Sequence, residues 1–164
     1  MTPNDRDDDC DQFGRLSGWD GVWYTRVNSI QWINEAGEKK FLPGGTAKGS
    51  VFVMGAASRG EYWFVEGYAT GLSVRDALRS MYRAARVVVC FSAGNLRHVA
   101  SLYRGRRYVV ADNDESGTGA RVATATGLPW GMPPTVGDDA NDMHQRSGLR
   151  SVSALLRDIM GGVS

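Results

Sequence analysis

Val109-Val110-Ala111-Asp112-Asn113-Asp114-Glu115-Ser116-Gly117 is an apolar run that stops abruptly at two carboxylates spaced one residue apart, with small and polar residues after them. In a parallel α/β sheet the strands end at one edge, and ligands bind in the crevice outside their carboxyl ends. Side chains at i and i+2 of an extended segment point the same way, so Asp112 and Asp114 are expected to aim two negative charges into one crevice. Like charges that close repel unless something positive sits between them. Mg²⁺ (or Mn²⁺) fits that need, because a hard cation is often held by one or two carboxylates plus substrate phosphates.

Outward from this stretch, strand-like and helix-like patterns alternate. Tyr62-Trp63-Phe64-Val65 reads as a buried strand ending at Glu66-Gly67. Leu72 to Tyr82 carries apolar residues at helical spacing, and Val87-Val88-Val89-Cys90-Phe91 is a second strand. Gly94-Asn95 opens a short helix, Tyr108 to Ala111 is the third strand, and Gly119 to Thr126 is an alanine-rich helix. Trp130 to Val136, interrupted by prolines, is at best a poor edge strand. Ser147 is expected to cap a last amphipathic helix through Val152, Leu155, Leu156 and Ile159. This alternation implies an α/β fold with a mostly parallel sheet of about four strands, covered by helices on both faces.

Upstream, Ser29 to Ile33 and Lys39 to Leu42 flank a turn and form a hairpin, and Ser50 to Gly55 is a further strand. Gly44 to Ser50 faintly echoes a phosphate-binding loop but lacks the Gly-Lys-Ser/Thr order and a following helix, which excludes a nucleotide site there. The expected organisation is a disordered acidic tail at 1–17, a β-rich extension at 18–57 and the main domain at 58–164.

A chain of 164 residues is long enough to bury a real core in one domain. No window approaches the roughly 18 apolar residues of a transmembrane helix, and the Asp-rich start is the opposite of a signal peptide's. Cys10 and Cys90 sit in unlike contexts and suggest neither a disulfide framework nor a zinc site, which points to a reducing, cytoplasmic setting. Arg75, Arg79, Arg83, Arg86, Arg97, Arg104, Arg106 and Arg107 cluster against the single acid Asp76. They form either a polyanion-binding section or a solvated helical face. Lys39, Lys40 and Lys48 likewise either meet a phosphate backbone or solvate the hairpin.

Three acidic positions fall at corresponding places: Glu66 after the first strand, Asp112 and Asp114 after the third, and Asp138-Asp139-Ala140-Asn141-Asp142 after the weak fourth. Strand ends of a parallel sheet share an edge, so these acids can converge although they are far apart in sequence. The pattern resembles the Toprim domain of bacterial-type primases, type IA and type II topoisomerases and some nucleases. In flavour it looks most like the Toprim domains of phage and plasmid primase-helicase proteins. Glu66-Gly67-Tyr68-Ala69-Thr70, Ala93-Gly94-Asn95-Leu96, Ala111-Asp112-Asn113-Asp114 and Asp139-Ala140-Asn141-Asp142 carry that likeness, with the Trp32-Ile33 hairpin as a lead-in.

The resemblance implies that Glu66 is the general acid or base at a sugar 3′-oxygen. It implies that Asp112 and Asp114 hold Mg²⁺, and that Asp139 and Asp142 complete the acidic surface or support a second metal. Arg97 and Arg121 would hold template or triphosphate, or else solvate the surface; Asn95 would bind or simply cap a helix. Primase-type nucleotidyl transfer on single-stranded DNA with NTPs is the expected activity. The chain has neither a zinc module nor an ATPase phosphate loop, so a helicase/ATPase or zinc-binding partner is expected in cis or in trans. A small Mg²⁺-dependent nuclease and a nucleic-acid-binding module with a vestigial metal site are the alternatives. A topoisomerase would require a domain presenting a cleaving tyrosine, and no such domain is evident. His98 and His144 are expected to be surface residues, and Cys90 a small core residue.

Overall fold

A computed structural model describes residues 15–17, 23–25, 30–35, 38–41, 43–44, 48–55 and 60–162. Of the tail expected at 1–17, residues 1–14, Cys10 among them, lie outside the described residues. The rest of it, Arg15–Ser17, forms a strand (β1) pairing antiparallel with Trp23–Thr25 (β2).

The chain divides into two compact units, residues 1–50 and 51–164. The first holds the β1–β2 pair and the expected hairpin, Gln31–Ile33 (β3) against Lys39–Phe41 (β4), with Trp32 opposite Lys40. Asn34 closes its turn by donating from Nδ2 to Glu38 Oε2 at 2.7 Å and accepting from the Glu38 amide at 2.8 Å.

The second unit is a five-stranded sheet with helices on both faces. Its elements run Phe52–Gly55 (β5), Glu61–Val65 (β6), Tyr68–Ser80 (α1), Arg86–Val89 (β7), Ala93–Leu102 (α2) and Arg106–Val110 (β8). Thr118–Ala125 (α3), Trp130–Gly131 (β9), Ala140–Ser147 (α4) and Leu149–Gly161 (α5) follow. The strand order is β5-β7-β6-β8-β9. Strands β6 to β9 are parallel, as the alternation requires, while β5 adds an antiparallel edge against β7 through its Phe52–Val89 to Gly55–Arg86 register. Strand β5 falls inside the stretch expected as an extension, yet it belongs to the second unit's sheet.

All five residues of the central strand β6 are buried, which is why its sequence shows no polar alternation. Trp63 and Val65 enter one core with Val74, Leu78, Val87 and Leu156, under α1 and α5. Tyr62 and Phe64 point to the other face and meet Tyr103 edge-on, with ring centroids 4.9 and 5.2 Å away. Helix α1 carries Gly71 on its buried face because a Cβ there would come within 2.8 Å of Val89 Cγ2.

The last helices differ from the sequence expectation. Gly148, not Ser147, is the N-cap of α5, because an unexpected helix, α4, occupies the preceding residues. Among the residues of α4 only Ala140 is buried, so it has no apolar stripe to announce it.

At the start of β6, the edge opposite the strand ends, Glu61 is only 3% exposed. It accepts from Arg83 at 2.8 and 2.7 Å and from Trp63 Nε1 at 3.0 Å, and Arg106 lies 3.5 Å away. Burial raises its pKa, but the hydrogen bonds from Arg83 and Trp63 and the nearby guanidinium charges outweigh it, and the net shift is below the ordinary 4.5. A depressed folded pKa makes the contribution complete above the unfolded value and lost as pH falls through the folded one. Melting temperature is therefore expected to fall from about pH 5 downward, with a shallower slope in Glu61→Gln. An equal slope in the two proteins would remove Glu61 from the account of acid sensitivity.

Candidate functional site

In this order the chain leaves β6 towards β7 on one side and reaches β8 on the other, so the strand ends of β6 and β8 flank the switch point where ligands bind. Glu66 follows β6 and Asp112 follows β8. Both are half-buried, and both line one small cavity together with Ala93, Leu96 and Gly119. Cys90, buried at the neighbouring end of β7, has its thiol pushed up by burial and then by the Glu66 carboxylate, so it is a neutral core residue as expected.

Asp114 does not run on in register with Asp112. Strand β8 ends at Val110, and i, i+2 alternation applies only while the chain stays extended. Asp114 instead caps α3: its Oδ1 accepts from the Thr118 amide at 3.0 Å and from the Ser116 hydroxyl, and its Oδ2 accepts from the Gly119 amide at 2.6 Å. Hydrogen bonds from Ser116, then Gly119 and Thr118, hold its pKa at about 2, so it stays ionised at neutral pH.

Asn113 ties the two acidic loops together. Its amide donates to Asp138 O at 2.9 Å, its carbonyl accepts from the Gly137 amide at 2.6 Å, and its Nδ2 donates to Pro133 O at 2.9 Å. The third acidic motif is thereby docked beside the second, which gives Asn113 a role that a turn residue would not need.

Within that motif the carboxylates have structural work. Asp139 Oδ1 accepts from the Asn141 and Asp142 amides at 2.7 and 2.9 Å, while Asp142 Oδ2 accepts from the Asp139 amide at 3.0 Å. Together they form the capping box of α4. Thr70 in α1 donates to Asp139 Oδ2 at 2.9 Å, which ties α1 to this loop. Asp138 pairs with Arg146 at 2.6 and 2.8 Å, and those hydrogen bonds lower its pKa. A D-x-x-D spacing ahead of a polar octet is the sequence signal that marks this box.

The remaining candidates separate. Asn95 is buried and donates from Nδ2 to Cys90 O at 2.8 Å, which stabilises the β7–α2 turn, while Ser92 is the N-cap. Arg97 on α2 and Arg121 on α3 are exposed, with Arg121 donating to Thr118 Oγ1 at 2.9 Å. Lys40 and Lys48 are exposed residues of the first unit. His98 is exposed as expected; His144 is not, being half-buried with Nδ1 3.0 Å from Ser73 Oγ. Gly119 carries no sequence signal for its place in the site: a Cβ there would overlap the Asp112 carbonyl oxygen and lie 3.1 Å from Asp114 Oδ2.

Among the described residues no three His, Cys, Asp or Glu side chains converge into a protein-only metal cage. The donor set fits a different kind of site. Glu66 and Asp112 on one cavity, with ionised Asp114 bonded to the amide of Gly119, which lines the same cavity, suit Mg²⁺ held by one or two carboxylates and completed by water and phosphate oxygens.

No solved structure matches the chain. The sequence pattern of the Toprim domain matches residues 62–150, from the second residue of β6 into the start of α5. Toprim domains are generally metal-dependent and process nucleic acids, in primases, nucleases and topoisomerases, and they typically bind Mg²⁺ through acidic residues. With the match covering more than half of its length, this chain belongs to the Toprim domain family.

Proposed function

We propose that the chain is the catalytic Toprim module of a DNA primase-type nucleotidyltransferase of a phage- or plasmid-like replication system, acting on single-stranded DNA with NTPs. The observation that carries this reading is the placement of Glu66 and Asp112 on one cavity at the switch point between β6 and β8. Glu66 accepts the proton of a sugar 3′-hydroxyl as that oxygen attacks the α-phosphorus of an incoming nucleotide and pyrophosphate leaves. Asp112 and Asp114 hold Mg²⁺ or Mn²⁺, which when bound stabilises charge developing on phosphate. Asp139 and Asp142 keep the third acidic loop in place and deepen the negative potential that attracts the cation. Arg97 and Arg121 meet template or triphosphate charges. Lys40 and Lys48, in the first unit, meet phosphates of nucleic acid, and Asn95 keeps the β7–α2 turn in shape. A helicase/ATPase or zinc-binding module, in cis or in trans, supplies template handling. No helix among the described residues is long and apolar enough to cross a membrane, and a cytoplasmic setting suits the two isolated cysteines.

Titration of Mn²⁺ into the wild type and Asp112→Asn, followed by relaxation enhancement, tests the metal. Binding is expected to be weak and to disappear in the variant. Asp112 is the cleaner choice, because changing Asp114 also disturbs the cap of α3. A wild type that holds no metal even with DNA and nucleotide present would sink the catalytic reading. Ribonucleotide incorporation on a single-stranded template then separates primase from nuclease. DNA degradation without any incorporation would assign the same acids to hydrolysis.

A further inference from the structure

Helices α2 and α3 bound a second cavity, of about 500 Å³, on their outer side. Ala93 and Leu96 of α2 face the Glu66–Asp112 cavity, while Gly94, Arg97, His98 and Ser101 face this one. Likewise Gly119 and Ala123 of α3 line the first cavity and Ala125, at its end, lines the second, so two helices wall both spaces. Arg107, from the start of β8, also lines it.

The groove's chemistry is one-signed. Among the described residues no carboxylate lines it, and neither Arg97 nor Arg107 pairs with an acid. Arg83 and Arg146, by contrast, are neutralised by Glu61 and Asp138. Arg107 is half-buried and donates from one terminal nitrogen to Ala100 O at 3.2 Å, while its Nε is buried without a partner. A guanidinium held in one orientation with its charge unmatched is a pre-organised oxyanion receptor. No Phe, Tyr or Trp ring among the described residues lines the groove, so its chemistry is that of two guanidinium groups and one imidazole.

From this we infer that the α2/α3 groove is a track for the phosphodiester backbone of single-stranded nucleic acid, leading along α2 to the strand-end crevice, with Arg97 and Arg107 as the phosphate-binding side chains. The inference rests on the reading that the crevice acts on nucleic acid, and it adds the path by which the strand arrives. Free nucleotide is the competing source of the same phosphate chemistry, and the test below separates the two.

The test is fluorescence anisotropy of a labelled oligodeoxynucleotide in EDTA, so that the metal site does not contribute, at several salt concentrations. Removing one cation that neutralises a phosphate makes the slope of log K against log salt shallower by about 0.7. Arg97→Ala is expected to reduce it by about 0.7, and Arg97→Ala/Arg107→Ala by about 1.4, with affinity down roughly tenfold at low salt. Arg107→Lys should retain the wild-type slope, which separates charge from packing. Because Arg97 is exposed on α2, its single variant decides the matter even if Arg107→Ala fails to fold. Wild-type affinity and slope in Arg97→Ala would overturn the track. ATP binding weakened by these variants while DNA binding stays intact would overturn it in favour of a nucleotide site. A wild type that binds no single strand would overturn both the track and the functional reading, whereas binding that survives Asp112→Asn but not Arg97→Ala supports the track on its own.

Discussion

Glu66→Gln is expected to lower primer synthesis by about 10²- to 10⁴-fold, the usual worth of a positioned general base, while the melting temperature and the single-strand affinity in EDTA hold. The amide keeps the size and polarity of the carboxylate but cannot accept the 3′-hydroxyl proton. Glu66 stands at the end of the fully buried central strand, and the Phe91 amide donates to its backbone carbonyl at 2.8 Å, a main-chain bond that the substitution leaves in place. Single-turnover incorporation of labelled ribonucleotides, with thermal melting as the control, is the measurement. Wild-type turnover in the variant would remove Glu66 from the chemistry.

The second large effect is at a residue with no chemistry of its own. Gly119→Ala puts a methyl where the Asp112 carbonyl oxygen already sits, beside the Asp114 carboxylate. The obstacle is backbone, not the end of a flexible side chain, so the first turn of α3 must lift from the loop after β8. Overpacking of this kind costs about 1–3 kcal/mol. The amides that hold Asp114 move with the turn, and a displacement of about 1 Å at reacting groups can cost about 100-fold in rate. Loss of both stability and turnover is therefore expected, with the amide resonances of Thr118 and residue 119 shifting in NMR spectra. Gly161→Ala is the matched control, since a Cβ there meets nothing within 4 Å at the end of α5. A Gly119→Ala protein that melts and turns over like wild type would show that the turn has slack.

Much of this architecture is local in origin, and for that reason it can be read from the chain. The runs Tyr62 to Val65 and Val87 to Val89 are continuous and apolar because both faces of a parallel sheet are covered, and that pattern implies the helices between them. Strand ends share an edge in such a sheet, so the placement of Glu66 and Asp112 at one crevice follows from sequence once the alternation is recognised. Helix α4 escapes such a reading because its stability comes from a capping box and from packing of α1 and α5 around Ala140, none of which leaves an apolar stripe. The membership of β5 escapes it because a strand's sequence does not say which partner its hydrogen bonds will find.

The α/β class, the edge on which the acids gather and the sign of the middle section's charge are written in the chain itself, since each depends on periodicity or composition. How each acid is used is settled only in the folded molecule. Asp114, Asp139 and Asp142 look equivalent to Asp112 along the chain, yet amides at the starts of α3 and α4 and one threonine from α1 take up their oxygens. A carboxylate's role depends on which donors arrive within hydrogen-bond distance, and those donors are set by where the chain turns after each strand.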